Sequence, residues 1–304
     1  MIVLKKLLFV PFFLIVFFSL IYKISPLLKS YDFLFSLSIN TFVELIIIST
    51  LITLSSLISV LFASLTQDWK IVLPAAIVAS TIAIALGDPA LSLILAVTIL
   101  VSLLVTFLSL ENSLKSYLNF QPSTLLGPAI RHLSGLLILS FCLVYFLATN
   151  KIVAQNGFQI PDSLIDTALK LTAQSKPQQE TVTPQLSIPS DQIDLLRKNP
   201  QLLKQYGLDP SVLDSLDKPS QSSSDRANNL IKQTIKDQLQ SFLKPYQGFI
   251  PAILALLLFL TLQSLTSIIN LLIYPILWLV FYLLEKTGFI HFEKEMREVK
   301  KLVV

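Results

Sequence analysis

The sequence predicts an all-α, polytopic membrane protein that crosses the bilayer six times, or seven, and carries one polar, helical, partly disordered insert on the extracytoplasmic side. Three observations carry that reading. Of the 304 residues, 53% are hydrophobic and only 14% charged, and the mean hydropathy is +0.71, a composition that belongs to membrane chains. Apolar runs recur at the length a helix rising about 1.5 Å per residue needs to cross a hydrocarbon core about 30 Å thick. One stretch, 149–248, departs abruptly from this pattern: it is rich in Gln, Ser, Asp, Lys and Pro and holds 11 basic and 10 acidic residues.

Before that insert, region 1–148 reads as five spans: Leu7 to Tyr22, Phe42 to Ala63, Ile71 to Gly87, Ala90 to Leu110 and Leu133 to Ala148. Lys5 and Lys6 precede the first in the manner of a secretory signal, but Leu20-Ile21-Tyr22-Lys23 follows where a small-residue cleavage site would stand, so a retained helix is expected. The third and fourth are separated by Asp88-Pro89 after Gly87, which predicts a tight antiparallel hairpin.

In the insert, Pro161-Asp162 open a short amphipathic helix, Ala173 to Ser187 lacks the composition for fixed structure, and Ser190 and Asp209-Pro210 read as caps of two further short helices. A longer helix follows, with Leu230, Ile231, Ile235, Leu239, Phe242 and Leu243 on one stripe.

Residues 249–285 form an apolar run uncharged from Phe249 to Leu284, which as one straight helix would measure about 54 Å, nearly twice the hydrocarbon core. Gln263, Ser267, Asn270 and Tyr274 are spaced 4, 3 and 4, so the helix is expected to continue through Gln263 to Ser267, with Pro275 allowing a kink beyond. A tail, 286–304, follows. With six crossings one side holds Lys5, Lys6, Lys70, Lys115, Arg131, Lys286, Lys294, Arg297, Lys300 and Lys301, against Lys23 and Lys29 opposite. That asymmetry places both termini in the cytoplasm of a cell-membrane protein and the insert outside; with seven crossings the contrast disappears.

Candidate chemistry is sparse. The net charge of +4 is too small and too scattered for a nucleic-acid partner. His132 and His291 are the only histidines, 159 positions apart, and Cys142 is the only cysteine, so no metal site, disulfide or redox pair is expected. No phosphate-cradling glycine loop or nucleophile elbow is present, so neither a cofactor nor a catalytic residue is assigned. The ionisable groups close to the membrane are Glu44, Asp88, Arg131 and His132, candidates for contact with a headgroup or substrate; Glu44 is expected in the first turn of the second helix, and Arg131 and His132 at the entrance of the fifth. The face formed by Gln263, Ser267, Asn270 and Tyr274 is a candidate for hydrogen bonding between helices or for a polar pathway. Trp69 and Trp278 read as interfacial anchors. From Glu285 to Lys301, Glu285, Glu293, Glu295 and Glu298 offset most of any attraction of the basic residues to anionic lipid.

The expected function is that of a non-enzymatic interaction or assembly component. Besides the lipid bilayer, its partner would be a protein, or its own copy, held through residues 149–248 with Ile231, Ile235, Leu239 and Phe242 as the contacting stripe. The alternatives are a transporter or channel built on the Gln263 to Tyr274 face, and a lipid-modifying enzyme, which would need Glu44, Asp88, Arg131 and His132 to converge.

Overall fold

The structure is a computed structural model that describes residues 9–35, 38–86, 88–117, 120–162, 164–165 and 221–290. The helix expected to open at Pro161-Asp162 is described only through Ile165, where its first residues are helical; the short helices expected between 190 and 217, Gly87 and the tail beyond Ile290 lie outside the described residues. Among those described, the chain is helical with no strand. The helices are α1 (Phe9–Ile24), α2 (Ile39–Thr66), α3 (Trp69–Thr81), α4 (Pro89–Ser116), α5 (Pro122–Asn156), α6 (Gln221–Leu243), α7 (Ile250–Asn270) and α8 (Ile273–Lys286). Short 3-10 helices extend α1 (Ser25–Leu28), α3 (Ile82–Leu86) and α6 (Lys244–Tyr246), and a separate one covers Asp32–Phe35. Five helical segments are long and apolar enough to cross a membrane: Phe9–Leu28, Ile39–Thr66, Pro89–Ser116, Pro122–Asn156 and Ile250–Asn270.

The chain divides into two compact units. The first combines Met1–Tyr31, Ile39–Thr149 and Ala252–Val304; the second combines Asp32–Ser38 and Asn150–Pro251. In the first, α1 packs on α2 and α3, α3 on α4, and α2 on α4. α5 carries a run of wholly buried side chains, Leu126, Ile130, Leu133, Leu137, Ile138 and Val144. Its Leu133 shares a cavity of about 20 Å³ with Phe13 of α1, Phe62 of α2, Val72 of α3 and Leu103 of α4. That is room for about one water, so the helices are closely packed at this point.

Several hydroxyls within these helices bond back to their own backbone. Thr53 Oγ1 donates to the Ser49 carbonyl, Ser56 Oγ to Ile52 and Thr106 Oγ1 to Ser102, each four residues back. Ser102 of α4 and Ser140 of α5 bring their hydroxyls to 3.3 Å in the buried seam between the two helices, the small-residue contact that membrane bundles favour.

Helix ends follow local chemistry. After α2, Gln67 takes a left-handed φ of +47° and donates its N–H to the Ala63 carbonyl at 3.0 Å, a C-cap usually made by glycine. Asp68 then caps α3 by accepting from Lys70 N–H, and Asp88 caps α4 by accepting from Ala90 N–H, with Pro89 in its first turn. In α3, Ser80 and Thr81 donate to the carbonyls three residues back, Ile77 and Val78. Occupying those acceptors favours the tighter i to i+3 pattern, and the chain continues as a 3-10 helix.

Three expectations about helix ends need correction. α2 starts at Ile39, so Glu44 lies in the second turn and no acid lies in the first. α5 starts at Pro122, and Arg131 and His132 therefore stand more than two turns inside it, not at its entrance. Gly127 and Pro128 argue for a helix boundary, yet both lie inside α5; Pro128, early in the helix, removes one N–H bond that burial of Leu126, Ile130 and Leu133 outweighs. Thirdly, the last apolar run is not one kinked helix. α7 continues through Gln263 to Ser267, as the spacing requires, but ends at Asn270, and Leu271 and Leu272 form a tight turn, bonding back to Ile268 and Ile269. Pro275 is the cause: its ring crowds the carbonyl four residues earlier, at Leu271, and it offers no N–H.

In the second unit, Gly157, with φ +69°, ends α5 and donates to the Val153 carbonyl. Phe158, Ile160 and Ile165 are buried in the segment that follows. The Phe35 and Phe158 rings lie 6.1 Å apart, and Gln240 of α6 donates to the Phe158 carbonyl at 3.3 Å.

Candidate functional site

The polar and ionisable candidates fall at different levels of the first unit. Phe13 stacks on Phe62, Trp69 meets Phe107, Phe120 meets Phe281 and Phe9 meets Phe289. These pairs mark one end of the bundle, where α1, α3 and α5 begin and α2, α4 and α8 finish. Glu44, near the start of α2, and Asp88, at the start of α4, belong to the other end, while Arg131 and His132 lie toward the first. Glu44 is exposed, Asp88 is occupied as a cap, and Arg131 and His132 are both exposed. The four do not converge, so the shared site that a lipid-modifying enzyme would need is not formed by them.

The four-residue polar face is divided as well. Gln263 and Ser267 are exposed on α7, Asn270 is buried, and Tyr274 belongs to α8 on the far side of the turn. Asn270 Oδ1 and Thr266 Oγ1, one turn apart on α7, are buried without a hydrogen-bond partner among the described residues.

Tyr274 instead pairs with Arg131, 143 positions away in sequence. Arg131 Nη2 donates to the Tyr274 hydroxyl at 3.2 Å, and the guanidinium carbon lies 5.9 Å from the ring centroid, within cation–π range. The Tyr274 ring rests beside Gly127, one turn before Arg131, where an added Cβ would meet it at 3.7 Å.

From Tyr274 the exposed side of α8 continues in steps of four: Trp278, Tyr282, Lys286. Trp278 and Tyr282 stack with centroids 5.6 Å apart and planes 10° from parallel, and Lys286 Nζ lies 6.0 Å from the Tyr282 ring. Ile273, Leu277 and Phe281 form the parallel buried row. α8 thus presents aromatic rings between two cations on one side and an apolar packing row on another. Neither Arg131 nor Lys286 has an acidic partner among the described residues. By contrast, Lys115 is held by Glu111 at 2.6 Å, beside a cleft of about 100 Å³ that Gln67, Phe107 and Leu110 also line.

Sequence alone singles out Arg131, Tyr274 and Trp278 separately and not the row, whose signal is the equal spacing of Tyr274, Trp278, Tyr282 and Lys286; the 4, 3, 4 spacing that joins Tyr274 to α7 across the Pro275 break hides it. No metal-binding group of His, Cys, Asp or Glu occurs among the described residues.

No family model, curated protein or solved structure matches the chain.

In the second unit, the stripe expected to contact a partner is only partly covered. Ile235 is half-buried, Leu239 is exposed and Phe242 is 70% exposed; the Ile231 side chain lies outside the description. Lys236, on the same helix, reaches Asp162 at 2.7 Å. That hydrogen bond and the Lys236 charge, with a smaller contribution from Lys232, hold the Asp162 carboxyl below its ordinary pKa.

Proposed function

We propose that this chain is a six-crossing membrane protein, with both termini cytoplasmic and the second unit outside, that acts as an assembly component by holding another protein chain against α6. Five crossings rest on the long apolar helices. The sixth rests on α3: thirteen α-helical residues and five 3-10 residues, at about 1.5 and 2.0 Å each, reach about 30 Å, the thickness of the hydrocarbon core. α8, with 14 residues, reaches only about 21 Å and is left at the cytoplasmic interface.

The observation that carries the assembly role is the exposure of Leu239 and Phe242 on a helix otherwise rich in Gln, Asp, Lys and Ser. Large apolar side chains grouped on a polar helix mark contact surfaces. Gln263 supports the same reading inside the membrane. It is exposed on α7, makes no hydrogen bond among the described residues, and sits about 10 Å from the helix end, where an amide facing lipid is costly and a neighbouring protein helix would satisfy it.

A photo-crosslinking amino acid in place of Phe242, activated in native membranes, tests the role. A discrete protein adduct is expected. Lipid adducts alone, or none, would remove the assembly reading.

A further inference from the structure

The row on α8 has no role in that assembly and asks for a different ligand. We infer that Arg131 and Lys286, joined by the exposed ladder Tyr274, Trp278 and Tyr282, form a binding site for anionic phospholipid headgroups at the cytoplasmic interface.

Four observations converge on it. First, the cations are uncompensated: neither has an acidic partner among the described residues, whereas Lys115 of α4 is neutralised by Glu111. Secondly, the guanidinium is held in place. Its bond to the Tyr274 hydroxyl and its position over the ring remove much of its rotamer freedom and leave the other N–H donors for a phosphate, which a planar guanidinium binds through paired hydrogen bonds. Thirdly, Tyr274, Trp278 and Tyr282 are exposed by 40%, 67% and 48%, and aromatic rings with a polar edge settle at headgroup level. Fourthly, the row about 100° round α8, Ile273, Leu277 and Phe281, is buried, so the helix is fixed and the ladder beside that row stays exposed.

The two cations lie too far apart for one phosphate. Tyr274 and Lys286 are twelve positions apart, about 18 Å along the helix. The headgroup would therefore be held at the Arg131 end, with Tyr274 and Trp278 beside it and Lys286 as a separate contact farther along the helix. Lys286 is flanked by Glu285, which is exposed on the neighbouring side of the helix. The guanidinium end of the row is therefore the stronger one.

A cation close to an anionic leaflet gains about 1 kcal/mol, or about fivefold in association. The test uses the full chain with Trp69→Phe, which leaves Trp278 as the sole tryptophan, in vesicles of mixed phosphatidylcholine and phosphatidylglycerol. Quenching of Trp278 by spin-labelled phosphatidylglycerol is compared with quenching by the same label on phosphatidylcholine.

The expected result is a preference for the anionic lipid of about fivefold or more. It should fall toward unity in Arg131→Gln/Lys286→Gln, survive largely in Arg131→Lys, and persist with excess inorganic phosphate. Equal quenching by the two lipids would overturn the inference, as would a preference unchanged in the double variant. Abolition of the preference by inorganic phosphate would assign the site to a soluble anion and overturn it equally.

Discussion

α3 and α8 are nearly the same length, 13 and 14 residues, both apolar and both carrying a proline, yet their side chains suit different surroundings. α3 buries Val72, Ala75, Ala76, Ala79 and Ser80 against its neighbours, has Lys70 as its only charge, at the end that begins beside the α2 turn, and gains length by continuing as a 3-10 helix. α8 buries one row of three and offers aromatic rings and a lysine on another. The lesson is that a short apolar helix is not assigned to the membrane by hydropathy alone. What its exposed side carries, and how the chain continues beyond it, decide between crossing the bilayer and lying at its edge.

The comparison can be broken most sharply with charge. Ala76→Arg places a cation inside α3, and if that helix crosses the bilayer the cost to insertion is roughly 2.5–3.5 kcal/mol. A topology reporter fused after Leu110 should then show a mixed orientation. Leu283→Lys on α8 should cost under about 1 kcal/mol by the same reporter placed after Lys286, because a lysine at the interface reaches water and phosphate. Equal penalties would mean that the two helices share one environment. A smaller effect is expected at Ala79, which is fully buried: Ala79→Leu overpacks α3 and should lower stability by about 1–3 kcal/mol in detergent unfolding.

The turn that leads into α3 gives a gain. Gln67 holds a positive φ, and Gln67→Gly relieves it, raising stability by about 0.5–1 kcal/mol. The smallest effect, and a baseline without any membrane contribution, comes from Asp162 in the second unit. Its pKa is lowered in the folded chain by Lys236, so the stabilisation is present above the unfolded-state pKa and is lost as pH falls through the lowered value. The pair is solvent-exposed, which limits the effect to a few tenths of a kcal/mol. Hydrogen exchange near residues 158–162, followed from neutral to acid pH and compared with Lys236→Gln, checks it.

How much of this was legible in the sequence follows from which forces act locally. Apolar run length exposed the long helices, because burial of a whole side-chain cylinder leaves a mark in every residue. It misplaced their ends, because hydropathy reads the membrane and not the hydrogen-bond ladder: α5 begins at Pro122, eleven residues before its apolar run. The break after Asn270 was foreshadowed by Pro275, but its position follows from the clash with Leu271, and the polar spacing from Gln263 to Tyr274 concealed it. The pairing of Arg131 with Tyr274 joins helices 143 residues apart in sequence and had no local signal at all.

In the proposed topology α3 crosses and α8 does not, and labelling with a membrane-impermeant maleimide in intact cells tests both at once. In a Cys142→Ala background, Ser222→Cys should react from outside and Thr287→Cys only after the membrane is opened. Reaction of both from outside would mean that α8 crosses, and reaction of Ser222→Cys only after opening would reverse the orientation; either result contradicts the account.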